Sequence, residues 1–497
     1  MTDTLEEATL AGLRDRMAAG ELSALDLTRY YLERIERFNV RGPQLRAVIE
    51  VNPDAENEAR RLDEERSRGT VRGPLHGIPV LLKDNIDTAD AMRTTSGSTA
   101  LLGSRPAQDA TVAAKLRAAG AILLGKANKT SWIIGSSGWS ARGGQCRNPY
   151  RLDHSPHGSS SGSAVAVAAN LCAVALGTET VGSILGPAAA NCVVGFKPTV
   201  GLTSRAGMIP AIRSFDSIGP LCRTVADAAV VLSAIAGVDL RDSATAGAAE
   251  NAHADYTGFL AEDGLRGARI GVPRSVFFGY SEEADAITEQ AIEVMRAAGA
   301  EIVDNADIAT AAQLTTHPAI GMVVVQETKH HLERYLAETP GDHPKTIAEL
   351  VEFNRANADT ELVHFGQGSL EMLAGFGDVD LNDPAYRDAL TVVRSLAGEQ
   401  GIDEVLRRHG LDALVMPTCP PAWPIDLVEG DPEPQGAAVP SGVAGYPAVS
   451  VPAGFADGLP VGITFTGTAW SEPTLFRLAR GFERALPVRR APGFDKV

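Results

Sequence analysis

Hydrophobic and polar positions in the first part of the chain follow helical and strand-like periods in turn. Residues 5–38 have apolar positions at helical spacing and predict two amphipathic helices, with Ser23 as the N-cap of the second. Residues 46–70 predict a short extended piece followed by a charged helix. The run GIPVLLKDNID (77–87) is apolar until its polar end, which predicts a buried strand that ends near Lys83.

The alternation continues through a stretch of unusual composition. Residues 111–128 predict a helix followed by a strand. Residues 135–162 are rich in Gly and Ser and predict a loop, which leads into a small-residue helix over 163–176. A further helix is predicted at Pro187. A loop that served only as a flexible linker would not be expected to lead into a segment so rich in Gly, Ser and Ala. We therefore treat this loop as a candidate functional segment.

The remaining pattern completes an α/β protein. In chain order it predicts a surface excursion (240–265), a strand (269–278), a helix (284–298), a strand (301–308), a largely helical stretch (318–410), strands within 413–467 and a closing helix (471–485). Elements on both sides of a buried sheet predict one large α/β/α domain with a central mixed β-sheet flanked by helices. That sheet would use strands from both ends of the chain.

The predicted domain spans the whole sequence. Residues 1–497 form one domain with a helical N-terminal segment (about 1–70), a core (about 71–230), a more variable helical segment (about 240–410) and C-terminal strands and helix (about 411–490).

Charge and composition narrow the function classes. The net charge of −17, without a basic stripe, argues against nucleic acid and anionic membranes as partners. Five cysteines, without a CxxC pair, suit a reducing compartment. The first residues lack a basic segment followed by an apolar one, so we expect no signal peptide and a cytoplasmic protein.

Three positions carry candidate chemistry. Lys83 follows an apolar strand, Ser159–Ser161 precede a helix, and Ser183 lies in a turn after Gly182. A serine hydroxyl is a weak nucleophile until a base takes its proton. Lysine is such a base only when burial keeps it neutral. Asp84 is adjacent to Lys83, but neighbouring strand residues point to opposite faces, so the two need not pair.

These positions lie in three motifs, GIPVLLKDNID, GSSSGSAVAVAANL and GTETVGSILGPAAANCVVGFKPT, which resemble the signature region of the amidase signature family. The resemblance covers nearly the whole chain and is weakest between about 240 and 410. It implies the amidase signature fold and a Ser–Ser–Lys triad. In that triad Ser183 is the nucleophile, Ser159, preceded by a cis peptide, relays protons, and Lys83 is the base.

The resemblance also implies supporting residues. It assigns an oxyanion hole to the backbone N–H groups of Thr180, Val181, Gly182 and Ser183. Within the 129–140 segment it assigns the substrate pocket to Ile134, Gly135 and Ser136. It also implies that Ser160 supports the triad. The chain departs from the family pattern at Val181 and Leu185, and neither change removes a triad member.

Two other kinds of site are weighed against this triad. The first is the site of a Ser–His hydrolase, in which His157 would pair with Ser183 as the nucleophile. His154 and His157 have the i, i+3 spacing of a metal site, but a third ligand is missing nearby in sequence. We therefore expect neither a metal nor an organic cofactor.

The implied reaction is hydrolysis of a linear C–N bond through an acyl-enzyme. The expected partner is a small-molecule amide or carbamate. GWSARGGQ and AWSEPTLFRLA resemble bacterial peptide amidases, which makes a peptide amide or aryl amide the first choice. Three alternatives stay open: a urethanase, the glutamine-hydrolysing subunit of a tRNA-dependent amidotransferase, and a non-catalytic binding protein on this scaffold. A homodimer is also left open.

Overall fold

The strands supply the frame that positions the site. The computed structural model describes residues 5–132, 136–432 and 436–494. The strands in these ranges are β1 (Val48–Val51), β2 (Pro79–Lys83), β3 (Ile122–Ala127), β4 (Trp139–Ser140), β5 (Gly144–Gln145), β6 (Val174–Glu179), β7 (Val194–Lys197), β8 (Ser217–Cys222), β9 (Arg269–Val272), β10 (Glu301–Asp304), β11 (Ala413–Pro417), β12 (Ala448–Ala456) and β13 (Leu459–Thr466).

Eleven strands of the described ranges form one sheet in the order β1-β3-β2-β6-β8-β7-β12-β13-β11-β9-β10, while β4 and β5 pair separately. β2 runs parallel to β3 and β6. The neighbouring β6–β8, β7–β8, β7–β12 and β12–β13 pairs are antiparallel. The prediction of a central mixed sheet is confirmed, and strands from both ends of the chain belong to it.

Helices cover the sheet. In chain order they are α1 (Leu10–Ala18), α2 (Ala24–Arg34), α3 (Ala55–Ser67), α4 (Thr111–Ala118), α5 (Ser161–Ala168), α6 (Leu185–Ala190), α7 (Val225–Ile235), α8 (Ala248–Asn251), α9 (Arg274–Phe277), α10 (Glu282–Ala297), α11 (Pro318–Glu338), α12 (Ile347–Ala356), α13 (Ala358–Glu361), α14 (Gly368–Gly375), α15 (Pro384–Ala397), α16 (Asp403–His409), α17 (Ala438–Ala444) and α18 (Glu472–Ala485). Ser23 caps α2, since its hydroxyl accepts the Asp26 N–H at 2.9 Å. Within the described ranges, none of these helices has both the length and the apolarity to cross a bilayer.

Helix α5 explains the density of small residues after the Gly/Ser loop. Every residue of α5 is buried. A Cβ on Gly162 would come within 2.2 Å of the Ala47 carbonyl oxygen and 2.5 Å of the Asn128 nitrogen. The Gly162 N–H donates to the Asn128 carbonyl at 2.9 Å. Small side chains therefore let α5 approach the end of β3 and bring its first turn beside the sheet.

Two predicted elements have the wrong boundaries. The helix predicted over 163–176 is wrong beyond Ala168, because Asn170 takes a positive φ of 55° and the chain turns into β6. The strand predicted over 269–278 ends at Val272, since proline follows and α9 begins at Arg274.

Two further predictions need smaller corrections. The helix predicted at Pro187 is α6, and it starts two residues earlier, with the proline inside its first turn. The segment 240–265 is more than a surface excursion, because it contains α8 and buries Tyr256 completely. Tyr256 packs on Phe476 with ring centroids 5.7 Å apart, so the segment contributes to the core.

The helical segment α11–α15 packs over one edge of the core. Its apolar side chains form a small cluster with residues from the 100–132 region, among them Leu101 and Trp132. Glu361 joins the two parts, since its carboxylate accepts the Thr99 N–H at 2.7 Å and the Ser98 hydroxyl at 2.9 Å. The helical segment is thereby fixed beside the loops that follow the central strands.

Candidate active site

Three segments of the core meet at one point. Lys83 ends β2, Ser159 lies two residues before α5, and Ser183 lies two residues before α6. The peptide bond between Gly158 and Ser159 is cis. Lys83 Nζ lies 2.8 Å from Ser159 Oγ, and Ser159 Oγ lies 3.1 Å from Ser183 Oγ. We call the side chains of Lys83, Ser159 and Ser183 the floor of the site.

The surroundings of Lys83 favour its uncharged form. Lys83 is 1% exposed, and its Nζ also lies 3.0 Å from both the carbonyl and the hydroxyl oxygen of Thr178. An uncharged amine has two N–H donors and one lone pair, which matches two Thr178 acceptors and one serine hydroxyl. Burial lowers the pKa of Lys83 well below its usual value, and the nearby Lys129 lowers it further.

Asp84 faces away from the floor. Its carboxylate accepts hydrogen bonds from the Thr95 hydroxyl and from the Gly97 N–H, the latter at 3.0 Å, and lies 3.5 Å from Arg142. The alternation of a strand separates Asp84 from Lys83 as predicted, so the lysine has hydroxyl and carbonyl neighbours instead.

A second buried lysine lies beside the floor. Lys129 Nζ lies 3.0 Å from Ser96 Oγ and donates to the carbonyl oxygens of Thr130 and Trp132. Burial lowers the pKa of Lys129 to about 7. Thr130 and Trp132 line the cavity described below, so Lys129 holds one edge of that cavity in place.

The turn before Ser183 presents backbone donors. Gly182 has a φ of +82°, a region that glycine adopts without strain. Among the described residues, the N–H groups of Thr180, Val181, Gly182 and Ser183 have no protein acceptor. An outside oxygen atom can therefore accept hydrogen bonds from this turn.

The buried carboxylate of Glu179 holds the residues that directly follow this turn. Glu179 Oε2 accepts the N–H groups of Ile184 at 2.6 Å and Leu185 at 2.9 Å. These donors belong to the start of α6, where N–H groups lack partners within the helix. The Thr180 hydroxyl donates to Asp216. Ser183 is therefore held between a capped helix and an anchored strand end.

Ser160 is fully buried and bonds to the backbone around the floor. Its Oγ donates to the Thr178 carbonyl at 3.1 Å and accepts the Thr178 N–H at 3.3 Å. The Ser160 N–H donates to the Ser183 carbonyl at 3.2 Å. These contacts connect the segments that carry Ser159 and Ser183.

His157 lines the cavity but contacts backbone and rings. Its Nδ1 lies 2.9 Å from the Gly158 carbonyl oxygen and 2.8 Å from the Gly158 nitrogen. Its ring packs on Trp423 at 5.2 Å, and a Cβ on Gly186 would come within 2.4 Å of it. Burial lowers the pKa of His157 to about 4. Ser183 Oγ has Ser159 Oγ as its hydrogen-bond partner within the described ranges.

The described residues offer no metal cluster. They contain no group of three His, Cys, Asp or Glu side chains arranged to hold an ion. His154 pairs instead with the adjacent Asp153, at 2.6 Å between Nδ1 and Oδ1.

A cavity of about 720 Å³ opens at the floor, and Ser183 and Gly182 line it. Of the predicted pocket residues, Ser136 lines the cavity, while Ile134 and Gly135 lie outside the described residues. We call five other lining residues the cavity wall: Trp139, Glu361, Phe365, Leu370 and Asp431.

The wall comes largely from segments that sequence reasoning missed. Trp139 packs edge-on against Phe365, with ring centroids 5.9 Å apart. Asp431 accepts the Ser136 N–H at 2.9 Å and the Trp423 indole N–H at 3.0 Å, and burial raises its pKa. Trp139 belongs to the GWSARGGQ segment, which already stands out in the sequence, whereas Phe365 and Asp431 lie in polar stretches without a recognisable motif, where only proximity to the floor in space could have found them.

Comparison with known proteins decides the family. A family model described as Amidase matches residues 26–476. The chain belongs to the amidase family. Family members hydrolyse amide C–N bonds, and the predicted hydrolase activity on linear amides is confirmed at this level.

Individual amidase relatives cover almost the whole chain. The crystal structure of native peptide amidase from Stenotrophomonas maltophilia is 49% identical, with a TM-score of 0.93, over 98% of this chain and 99% of that one. A probable amidase of Arabidopsis thaliana is 39% identical over 99% of this chain and 93% of its own length. A glutamyl-tRNA(Gln) amidotransferase subunit of Chloroflexus aggregans is 38% identical over 97% of this chain and 96% of its own length. The amidase fold is therefore established over nearly all residues.

Proposed function

We propose that Ser183 is the nucleophile of an acyl-transfer reaction, with Ser159 and Lys83 as its proton relay. The observation that carries this proposal is the continuous series of short contacts from Lys83 Nζ through Ser159 Oγ to Ser183 Oγ at the edge of the cavity. A buried lysine with a lowered pKa is a base able to activate a serine through a second hydroxyl.

The proposed reaction has two stages, acylation of Ser183 and hydrolysis of the resulting ester, and both use the same proton relay. Ser183 Oγ bonds to the amide carbonyl carbon, its proton passes to Ser159, and Ser159 gives its own proton to Lys83. The proton then returns through Ser159 to the leaving nitrogen as the C–N bond breaks, which leaves an ester on Ser183. Water attacks that ester through the same relay and releases the carboxylic acid.

The turn preceding Ser183 serves as the oxyanion hole in this mechanism. The N–H groups of Thr180, Val181, Gly182 and Ser183 are free to bind the oxygen that becomes negative as the carbonyl is attacked. One such donor is worth roughly 10²–10³-fold in rate. Because the donors are backbone groups, a valine side chain at 181 is compatible with this role.

The proposed substrate is a linear peptide amide whose terminal C–N bond is cleaved. The 49% identity to a peptide amidase over nearly the whole length supports this class. The wall supports it as well, because Trp139, Phe365 and Leu370 offer apolar surface to a side chain, while Asp431 offers a carboxylate to a peptide N–H or a cation. Ser160 supports the relay by holding the two serine segments together.

A hydrolysis panel followed by mass spectrometry tests this proposal. The panel contains a peptide amide, an aryl anilide, an aryl carbamate and free glutamine, each with wild type and with Ser183→Ala. We expect the peptide amide to be turned over fastest, with loss of turnover in Ser183→Ala.

Other outcomes would revise the substrate. Preference for the carbamate would make the chain a urethanase with the same triad. Preference for glutamine would favour the glutamine-hydrolysing role within an amidotransferase. Failure of every substrate, together with no adduct on Ser183 from an acylating reagent, would favour the non-catalytic binding protein.

The proposal also covers the compartment, the oligomeric state and the kind of partner. Residues 1–497 act as one amidase domain in the cytoplasm, as monomer or homodimer. Five free, buried cysteines support a reducing compartment. The net charge of −17 supports a small-molecule substrate over nucleic acid or an anionic membrane.

A further inference from the structure

A second cleft, of about 600 Å³, lies apart from the cavity beside the floor, and the two share no lining residue in the described ranges. It lies between loops at 205–214 and 241–244 and the helices α11 and α15. Five arginines line it, and we call it the arginine cleft: Arg205, Arg213, Arg241, Arg334 and Arg394. Such a concentration of positive charge is unexpected in a chain with a net charge of −17.

Three of the five arginines are paired with carboxylates. Arg205 forms a buried two-point contact with Asp242, at 2.7 and 2.6 Å. Arg334 pairs with Glu338 at 2.7 Å on the surface of α11. Arg241 lies 3.8 Å from Asp239. These three guanidinium groups are largely accounted for within the protein.

The other two arginines lack such partners. Within the described ranges, the half-buried Arg213 guanidinium makes neither a hydrogen bond nor an ion pair. Arg394, exposed at the rim, donates to the Ser214 carbonyl at 3.4 Å and has no other hydrogen bond to the described residues. Burial and the neighbouring Arg205 lower the pKa of Arg213, because its charge is poorly compensated.

Two carboxyl groups that face the cleft accept hydrogen bonds from neutral donors, and the charge of Glu327 also opposes the lowering of the pKa of Arg394 by desolvation. Glu327 accepts the Ser214 N–H at 2.8 Å and the Tyr386 hydroxyl at 2.7 Å. Asp87 accepts the Tyr335 hydroxyl at 2.8 Å, and burial raises its pKa to about 7. His331 has a pKa lowered to about 3, first by burial and then by the charge of Arg213. Among the described lining residues, five guanidinium groups therefore face the carboxylates of Asp242, Glu327 and Glu338 and the raised-pKa carboxyl of Asp87, and the positive charge that is not paired within the protein lies at Arg213.

We infer that the arginine cleft is a binding site for a small oxyanion, a metabolite that carries a phosphate or a pair of carboxylates. Arg213 and Arg394 provide planar guanidinium donors that suit either group. The short loop that carries Arg213 is held by Arg205, which donates to the Arg213 carbonyl, and Arg394 donates to the next carbonyl, that of Ser214. This site is separate from the proposed hydrolysis and does not depend on it.

Calorimetric titration of the full-length protein tests the inference. The probes are sodium phosphate and sodium succinate, each titrated at constant ionic strength set with sodium chloride. The variants are Arg213→Gln and Arg394→Gln. The control is Arg408→Gln, an exposed arginine on α16 that pairs with Glu404. We expect saturable binding in wild type and control, and affinity lowered about tenfold or more in each cleft variant.

The two probes separate the two sources of oxyanion. Tighter binding of phosphate would indicate a phosphorylated metabolite, and tighter binding of succinate a dicarboxylate. Absence of saturable binding for both probes in wild type would overturn the inference, as would equal affinities in wild type and Arg394→Gln. Because Arg394 is exposed at the rim, this variant keeps the test decisive even if Arg213→Gln folds poorly.

Discussion

The floor and the wall of the cavity are built in different ways. The floor consists of buried polar groups joined by hydrogen bonds, and its residues come from motifs within 83–183. The wall consists of rings, aliphatic groups and two carboxylates brought together from 139, 361–370 and 431. The difference suggests that the floor sets the reaction and the wall selects the substrate, because the wall can vary without disturbing the relay.

The largest expected effect is on the floor. Ser183→Ala removes the proposed nucleophile, and we expect kcat to fall by about 10³-fold or more. The measurement is peptide amide hydrolysis, and an unchanged Tm serves as the control for folding. A rate within tenfold of wild type would place the nucleophile elsewhere.

The next effect concerns the base. Lys83→Met should lower kcat by about 10²–10⁴-fold, because the relay loses its proton acceptor. In wild type the rate should fall as the pH is lowered through the depressed pKa of Lys83, since only the neutral amine accepts a proton.

Lys197→Met is the matched control for that variant. Lys197 is equally buried, with its pKa lowered to about 8, but it donates to the Tyr446 carbonyl at 2.7 Å instead of to a serine of the floor. Its kcat should stay within several-fold of wild type, because in the described ranges Lys197 makes no hydrogen bond to a side chain of the floor. Equal losses in both variants would mean that Lys83 acts through folding.

A wall variant should affect the substrate more than the reaction. Phe365→Ala should lower kcat/KM for a peptide amide with an apolar side chain by about tenfold or more. Hydrolysis of a short aliphatic amide should change little, because that substrate does not reach the wall. Val363→Ala, at an exposed neighbouring position, is the control. Equal loss for both substrates would contradict the division between floor and wall.

The smallest effect is expected at His157. His157→Ala should keep the shape of the pH–rate profile, with a rate change below about tenfold, because a merely packed ring contributes no proton transfer. Loss of a pH limb in the imidazole range would instead support a Ser–His mechanism.

Sequence reasoning reached much of the fold through local periodicity, and it reached the floor through the resemblance of three motifs to the amidase signature family. Lys83 ends an apolar run, and Gly182 marks the turn before Ser183, so these positions are visible without coordinates. The boundary at Ala168 was missed because α5 and β6 share one run of small apolar residues, in which neither period dominates.

Most of the wall, apart from Trp139, could not be predicted from the sequence for another reason. Asp431 and Phe365 lie in polar stretches whose approach to Ser183 depends on how α11–α15 and the loop after β11 pack on the core. Arg213 was likewise inconspicuous, because an arginine gains significance only when its lack of a partner is seen. Long-range packing, rather than local periodicity, determines these contacts.

Burial of Lys129 has a consequence for folding stability. Its pKa is about 7 in the folded protein, whereas a lysine in an unfolded chain titrates near 10.4. Between these values the unfolded chain binds the additional proton, so this residue makes the free energy of unfolding rise with pH. The penalty is greatest below pH 7 and disappears above about pH 10.4, where both states are uncharged. Lys83 acts in the same direction, so the arrangement that keeps the proposed base neutral also shifts the optimum of folding stability toward alkaline conditions.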